Sequence, residues 1–515
     1  MPRSRASVAA WAATAAAAGF LLARIVPDVD GKPLFEDEAV SGLIGARPVG
    51  EIIVTTMWDR GGAPLHFLLT HLAFQFDASA AALRWLSVVF ALATVLVCYD
   101  LGQRLAGRIA GIGAAVVAAT SGMLAVYGSF GRMYALLAFV SALAATLFVR
   151  ALDERTPRAA LAAAAAAWLL PAVHPYGGIV VAIEAVIALV IWRGRPLRPA
   201  LPVLAVALAM IPFAVADLRL ADRFEVSGEA EGRLATWDEA WDQIGSAIGG
   251  FAGGEGLTLA LFVGLGLGGA LLLLRRRPEV VIWGLLALAA PPLLATLVRT
   301  GRAPDLSPRH LIFALPFFAA CVGTAIARLP APPVALAAVS AVAVFSAQGI
   351  VDPRSVTYTA ALGTDAALAE PARYLKARVE EGDALYPYSS VFLAALPEAG
   401  RAHGLPRGQA QSLLAAVDGL DYPVPELFVA IPSGSATFGN LELTGEIPFR
   451  SWTIVRRIGP FPDAAALLQE TRAALQPARE ALSPAAPEAL EGWFDLNSEV
   501  LCDALSTLDS ECVSE

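Results

Sequence analysis

Apolar runs of about 17 or more residues recur from the N-terminus of this chain to about residue 350. Each is long enough as a helix to cross a hydrocarbon layer about 30 Å thick. Charged residues make up only 16% of the 515, against about 25% in soluble domains. The pattern is that of a polytopic membrane protein. A formal charge of −9 argues against a nucleic-acid partner, and four Cys in this length make no disulfide framework.

The first run, residues 7–26, follows Arg3 and Arg5. A basic head on a short apolar stretch also fits a signal peptide. The run's length and the many runs behind it favour a retained span. Further spans are expected at about 85–103, 109–126, 133–150, 159–173, 177–192, 199–216, 256–274, 279–298, 310–327 and 332–349, which makes eleven. Pro64–Phe76 is apolar too, but 13 residues reach only about 20 Å as a helix. It is expected to lie on the outer surface. Parity then puts Arg104/Arg108, Arg150/Arg155/Arg158, Arg193/Arg195/Arg198, Arg275–Arg277 and Arg328 on the side of Arg3 and Arg5, crowded in tight turns. That density predicts an N-terminus inside. Two outer loops are long: 27–60, and 217–255, where Trp237 and Trp241 at i, i+4 suggest an interfacial helix.

Beyond about residue 350 the chain turns polar and acidic, with 23 Asp or Glu against 11 Lys or Arg. The expected organisation is therefore a membrane part, 1–350, and a water-facing unit, 351–515. The second part reads as a small α/β fold, with helices near 365–380 and 463–482 and short strands near 383–389, 426–431 and 451–458. An odd number of spans places it outside the cell. Cys502 and Cys512 would then sit where disulfides persist, although two separate thiols fit equally. Cys98 and Cys321 lie inside spans as small core residues.

The polar residues that interrupt the apolar pattern gather at the outer ends of the spans. They are Asp37-Glu38, His66 in Gly61–His66, Arg132 and Tyr134, His174-Pro175-Tyr176, and Arg309-His310. Each has an ordinary explanation. Acidic residues suit the first turn of a helix, and an Arg at a span end can snorkel to the headgroups. A His at the membrane surface is more often a hydrogen-bonding residue than a ligand, and no two of these His share an i, i+4 spacing. Their gathering on one side points instead to an outward-opening pocket. In it Asp37 would act as general base, and Arg132 and Arg309 would form a fork for a phosphate.

In this order the residues resemble the GT-C class of integral-membrane glycosyltransferases, in the branch of protein O-mannosyltransferases and lipid A aminoarabinose transferases. The resemblance rests on Asp37-Glu38, Ala63-Pro64-Leu65-His66-Phe67, Leu83-Arg84-Trp85-Leu86-Ser87-Val88 and Gly102-Gln103-Arg104-Leu105. It continues through Phe130-Gly131-Arg132-Met133-Tyr134-Ala135-Leu136, His174-Pro175-Tyr176-Gly177 and Pro308-Arg309-His310-Leu311. It spans about residues 7–350. Phe130 departs from the family pattern by standing where an acidic residue is usual, and His66 and His310 stand where aromatic residues are usual.

The resemblance implies a mainly α, polytopic helical bundle of GT-C type, with a surface helix and a C-terminal α/β unit. It implies sugar transfer from a polyprenyl-phosphate donor to a glycan, lipid or protein acceptor on the outer face. Asp37 would be the base and Glu38 would orient the acceptor or a divalent ion. Arg132 and Arg309 would hold the donor phosphate, and His66, Tyr134, His174, Tyr176 and His310 would line the pocket. No cofactor is firmly implied, and a divalent metal is left open. The rival reading is a transporter or lipid flippase, for which Glu184 is the clearest acid within a span. A catalytically silent scaffold would follow from Phe130.

Overall fold

The computed structural model describes residues 5–31, 36–59, 63–192, 256–277, 308–348, 365–387, 389–406, 410–432, 446–448, 452–481 and 488–508, with isolated residues between 208 and 251. The expected spans at 199–216 and 279–298, and the loop carrying Trp237 and Trp241, lie wholly or almost wholly outside the described residues.

Helices run in the order α1 (Arg5–Ile25), α2 (Pro27–Gly31), α3 (Glu36–Gly45), α4 (Val49–Asp59), α5 (Leu65–Phe74), α6 (Ala80–Ala106), α7 (Arg108–Thr120), α8 (Gly122–Gly128), α9 (Tyr134–Glu154), α10 (Pro157–Val173) and α11 (Gly177–Trp192). After them come α12 (Gly256–Arg276), a 3-10 turn at Pro308–Ala314, α13 (Leu315–Ile326) and α14 (Pro332–Gln348). Among the described residues, five helical segments are long and apolar enough to cross a membrane, and the bent pair α7–α8 makes a sixth if counted as one span. Shorter apolar helices occupy Pro157–Val173, Gly177–Ala188 and Pro332–Ser346, and the surface segment is the ten-residue α5.

The expected continuous span at 109–126 is broken. Ser121 is extended between α7 and α8, which bend by 59°. Its hydroxyl accepts from Leu124 N at 3.4 Å and donates to the Gly250 carbonyl at 3.0 Å, so a local cap replaces the helical ladder. Small residues let the membrane helices approach closely: Gly102 lies against Ala110, and Gly113 against Gly323.

The C-terminal part contains α15 (Asp365–Lys376), β1 (Ala384–Tyr386), α16 (Ser390–Ala394), β2 (His403–Gly404), α17 (Ala410–Asp418), β3 (Val424–Pro432), β4 (Glu446–Pro448), β5 (Trp452–Phe461), α18 (Ala464–Glu480) and α19 (Glu488–Thr507). The sheet order is β2-β1-β3-β5-β4, with β1 parallel to β2 and β3, and β5 antiparallel to β3 and β4. Nearly all of β3 is buried because both its faces are covered, which is why its sequence runs apolar without alternation. Leu427, Val429 and Ile431 pack with Leu467 of α18 and Leu501 of α19. Phe428 and Ala430 pack on the opposite side, in a core that also holds Ala39 and Leu43 of α3, Phe74 of α5 and Leu83 of α6. The C-terminal unit, expected as a separate body, therefore shares a core with the helix that carries Asp37 and Glu38. Cys502 on α19 is disulfide-bonded, and Cys512 lies outside the described residues.

Candidate active site

The site is built where α3, the turn before α9, the end of α10 and the 3-10 turn before α13 meet. Two adjacent carboxylates leave α3 in different directions, because successive helical positions differ by about 100°. Glu38 is 0% exposed and is gripped by Arg84, with Nε donating to Oε1 and Nη2 to Oε2, both at 2.8 Å. Arg84 Nη1 also donates to the Val29 carbonyl at 2.7 Å, and Gly131 N donates to Glu38 Oε1 at 2.8 Å. A side chain at Gly131 would run into Leu83, so glycine is what lets this backbone reach Glu38. The expectation that Glu38 orients acceptor or ion gives way to a different placement: its carboxylate ties three segments of the chain together.

Asp37 is the carboxylate that reaches the pocket, with its side chain 31% exposed and Oδ2 at 3.3 Å from Arg309 Nη1. Arg132 Nη1 donates to the Asp37 carbonyl at 3.2 Å and lies 3.5 Å from Ser41 Oγ, which itself donates to that carbonyl. Among the described residues nothing hydrogen-bonds the buried Arg132 Nε. Arg132 and Arg309 thus converge on the two sides of one residue.

Aromatic and imidazole rings cluster beside the two arginines. Tyr134 lies 6.3 Å from His174 and 6.2 Å from His310, centroid to centroid. His174, Tyr176 and His310 are mutually 5.2–5.3 Å apart. The Arg309 guanidinium sits 5.7 Å from the centre of the Tyr134 ring, within cation–π range. Phe130, where the family pattern has an acid, stacks on Tyr134 at 6.3 Å and meets Tyr127 edge-on. His66 lies on α5, buried and within electrostatic reach of Arg132. Burial, with Arg132 second, pushes the His66 imidazole down to about 3. Burial followed by Arg132 and Arg309 does the same to His174. Both rings are therefore neutral at physiological pH and can donate and accept hydrogen bonds at once.

All nine expected residues thus fall in one neighbourhood. Sequence reasoning passed over the roles of Arg84, Ser41, Ser87 and Tyr127. Arg84 carried a signal, since an Arg in an apolar helix demands a buried partner. Ser41 sits one turn beyond Asp37. Ser87 holds the turn before α9 by donating to the Phe130 carbonyl at 2.6 Å, which only the tertiary structure reveals. Among the described residues no group of three or more His, Cys, Asp or Glu is placed to hold a metal ion. Glu38, expected to orient the acceptor or a divalent ion, faces Arg84 and Gly131.

Residues 61–216 match the family described as dolichyl-phosphate-mannose-protein mannosyltransferase. No curated protein matches the chain. Among solved structures, ArnT from Cupriavidus metallidurans in the apo state is similar with TM-score 0.57 and 13% identity, over 88% of this chain and 98% of that one. The same protein bound to undecaprenyl phosphate gives 0.55 and 14%, over 87% and 98%. The apo oligosaccharyltransferase of Archaeoglobus fulgidus gives 0.49 and 12%, over 81% and 69%. At these identities the likeness is one of fold, a polytopic bundle of membrane helices like that of ArnT.

Proposed function

We propose that this chain is a glycosyltransferase that moves one sugar from a polyprenyl-phosphate donor to an acceptor hydroxyl at the outer face of the membrane. The observation that carries the reading is the convergence of Asp37, Arg132 and Arg309 beside a wall of hydrogen-bonding rings. It draws support from the matched mannosyltransferase family and from a fold shared with a protein crystallised with undecaprenyl phosphate. A lipid-linked donor suits an outward site, because it reaches the pocket laterally within the bilayer.

Asp37 takes the acceptor proton as the acceptor oxygen attacks the anomeric carbon in line, forming the new C–O bond with inversion. The bond from that carbon to the phosphate oxygen breaks, and the polyprenyl phosphate leaves with the electron pair. Arg132 and Arg309 stabilise the charge that develops on it. Arg309 bridges Asp37 and the phosphate, and the buried Glu38–Arg84 pair holds α3 at the correct angle. Neutral His66 and His174, together with His310, Tyr134 and Tyr176, hydrogen-bond the sugar hydroxyls. Residues 1–350 form the membrane catalytic part in this reading, with residues 351–515 outside the cell.

The test is Asp37→Asn in purified protein with a polyprenyl-phosphate sugar and an acceptor. Asn keeps the shape and can still cap a helix but cannot take a proton, so the variant should fold, bind donor and lose about 10²–10⁴ in rate. Turnover within about threefold of the parent would remove Asp37 from the role. Lipid movement without covalent chemistry is the second reading, favoured by Glu184, a buried acid on α11 whose Oε1 meets no partner among the described residues. Donor translocation without any glycosylated product would favour it.

A further inference from the structure

The helix that carries Asp37 touches two bodies. Toward the membrane helices, Glu38 holds Arg84 and Gly131, and Arg132 reaches the Asp37 carbonyl. Toward the C-terminal unit, Ala39 and Leu43, one turn apart, share a core with Leu385, Phe392, Leu393, Phe428 and Trp452. Gly42, one turn beyond Glu38, has no room for a side chain, because a Cβ there would run into Leu393 Cδ1. Leu393 is 1% exposed and packed in that core, so its methyl group yields only by displacing its neighbours. The same contact continues along the chain: Gly400 backs onto Ala46, and His403 lies in the field of Arg47 and Glu51.

A ten-residue helix is marginal in water by its own propensity. The position of α3 is therefore set by what grips it. Asp37 meets Arg309 at 3.3 Å, so a small shift of the helix changes that contact. Less than two turns separate Asp37 from Gly42, and a helix transmits a displacement over that distance as a rigid rod.

We infer that the C-terminal unit belongs to the catalytic machinery as the element that fixes Asp37 in place, with Gly42 and Leu393 as the positioning residues. The inference rests on the reading of Asp37 as base. The unit then acts through packing. It packs against α3 one turn beyond the carboxylate that the Arg84 pair holds, on the same stripe of the helix, and turnover depends on how the two contacts together seat α3.

The experiment uses the full chain in liposomes, with initial rates measured over a range of polyprenyl-phosphate sugar. Gly42→Ala and Gly42→Val are compared with Leu393→Ala and with the double variant Gly42→Val/Leu393→Ala. A misplacement of about 1 Å can cost on the order of 10²-fold. Gly42→Val should lower the melting midpoint, as any overpacked core does, and should also lower kcat per folded molecule roughly tenfold or more with donor KM within about threefold. The double variant should recover most of kcat, because the clashing methyl groups are gone. A merely structural contact would move the melting midpoint and leave kcat per folded molecule alone. Parental kcat in Gly42→Val, or a loss that Leu393→Ala does not relieve, overturns the inference. If Gly42→Val does not fold, parental kcat in both Gly42→Ala and Leu393→Ala overturns it, and a lowered kcat at unchanged KM in either supports it. Asp37→Asn is assayed in parallel. An active Asp37→Asn sinks the base assignment, whereas an inactive one beside a fully active Gly42→Val sinks only the positioning role.

Discussion

Glu38 offers both carboxylate oxygens to Arg84 across 46 positions of sequence, in a pair that is 0% and 1% exposed. The pair joins α3 to α6, and through Gly131 it also fixes the turn that presents Arg132. Removing one partner of such a pair leaves an uncompensated buried charge, at about 3–5 kcal/mol. Glu38→Gln and Arg84→Gln should each lower the thermal midpoint in detergent or lipid substantially. The charge-free Glu38→Gln/Arg84→Met double variant should regain part of the loss. Any Glu38→Gln protein that remains folded should still turn over faster than Asp37→Asn. Unchanged midpoints in both single variants would contradict the structural role of the pair.

Arg309 lies between Asp37 and the Tyr134 ring. A planar guanidinium can serve both and still fork onto phosphate, whereas an ammonium presents a single point of charge. Arg309→Lys should weaken donor use by roughly tenfold or more, about 1.4 kcal/mol. Arg132→Lys should behave similarly, because its second nitrogen is tied to the Asp37 carbonyl. An unaltered KM for the polyprenyl-phosphate sugar in Arg309→Lys would remove it from the phosphate site.

His66 and His174, pushed down to about 3 by burial first, differ from an unfolded imidazole near 6.5. Between those values the unfolded chain binds more protons than the folded one, so stability is complete above pH 6.5 and declines as pH falls toward 3. At pH 5 each buried ring costs about 2 kcal/mol. Melting midpoints at pH 7.5 and pH 5 should therefore separate in the parent, and the gap should narrow in His66→Gln and His174→Gln. An equal gap in parent and variants would show that these rings are not the source of the pH dependence.

The orientation is testable by cysteine labelling from outside intact cells. Gly50→Cys and Ala230→Cys should react with an impermeant reagent, and Pro196→Cys should not. Labelling at position 196 would place the pocket on the opposite face, where a lipid-linked donor has no special claim over a nucleotide sugar.

Much of the site could be read in the sequence because its residues interrupt apolar runs. A charge or imidazole at the end of a span is conspicuous against Ala and Leu, and this pattern singled out Asp37, Arg132, His174 and Arg309. The strands at Val424–Pro432 and Trp452–Phe461 and the helix at Ala464–Glu480 were likewise marked by local composition. Length alone marked Pro64–Phe76 as too short to cross, and the structure forms the ten-residue α5 there.

The sequence determined which residues are polar inside an apolar chain, since burial of backbone and side chain leaves that periodic trace. Only the tertiary structure decided what each one does. Asp37 and Glu38 are neighbours of the same type, yet one reaches the pocket and the other is sealed against Arg84, because a helix turns consecutive side chains about 100° apart. Their partners lie 272 and 46 positions away, distances at which no local pattern specifies a contact. The break at Ser121, capped through Gly250, and the seating of Leu393 under Gly42 have the same origin. Local propensity prescribes helices, and packing between distant segments prescribes where they end and what they touch.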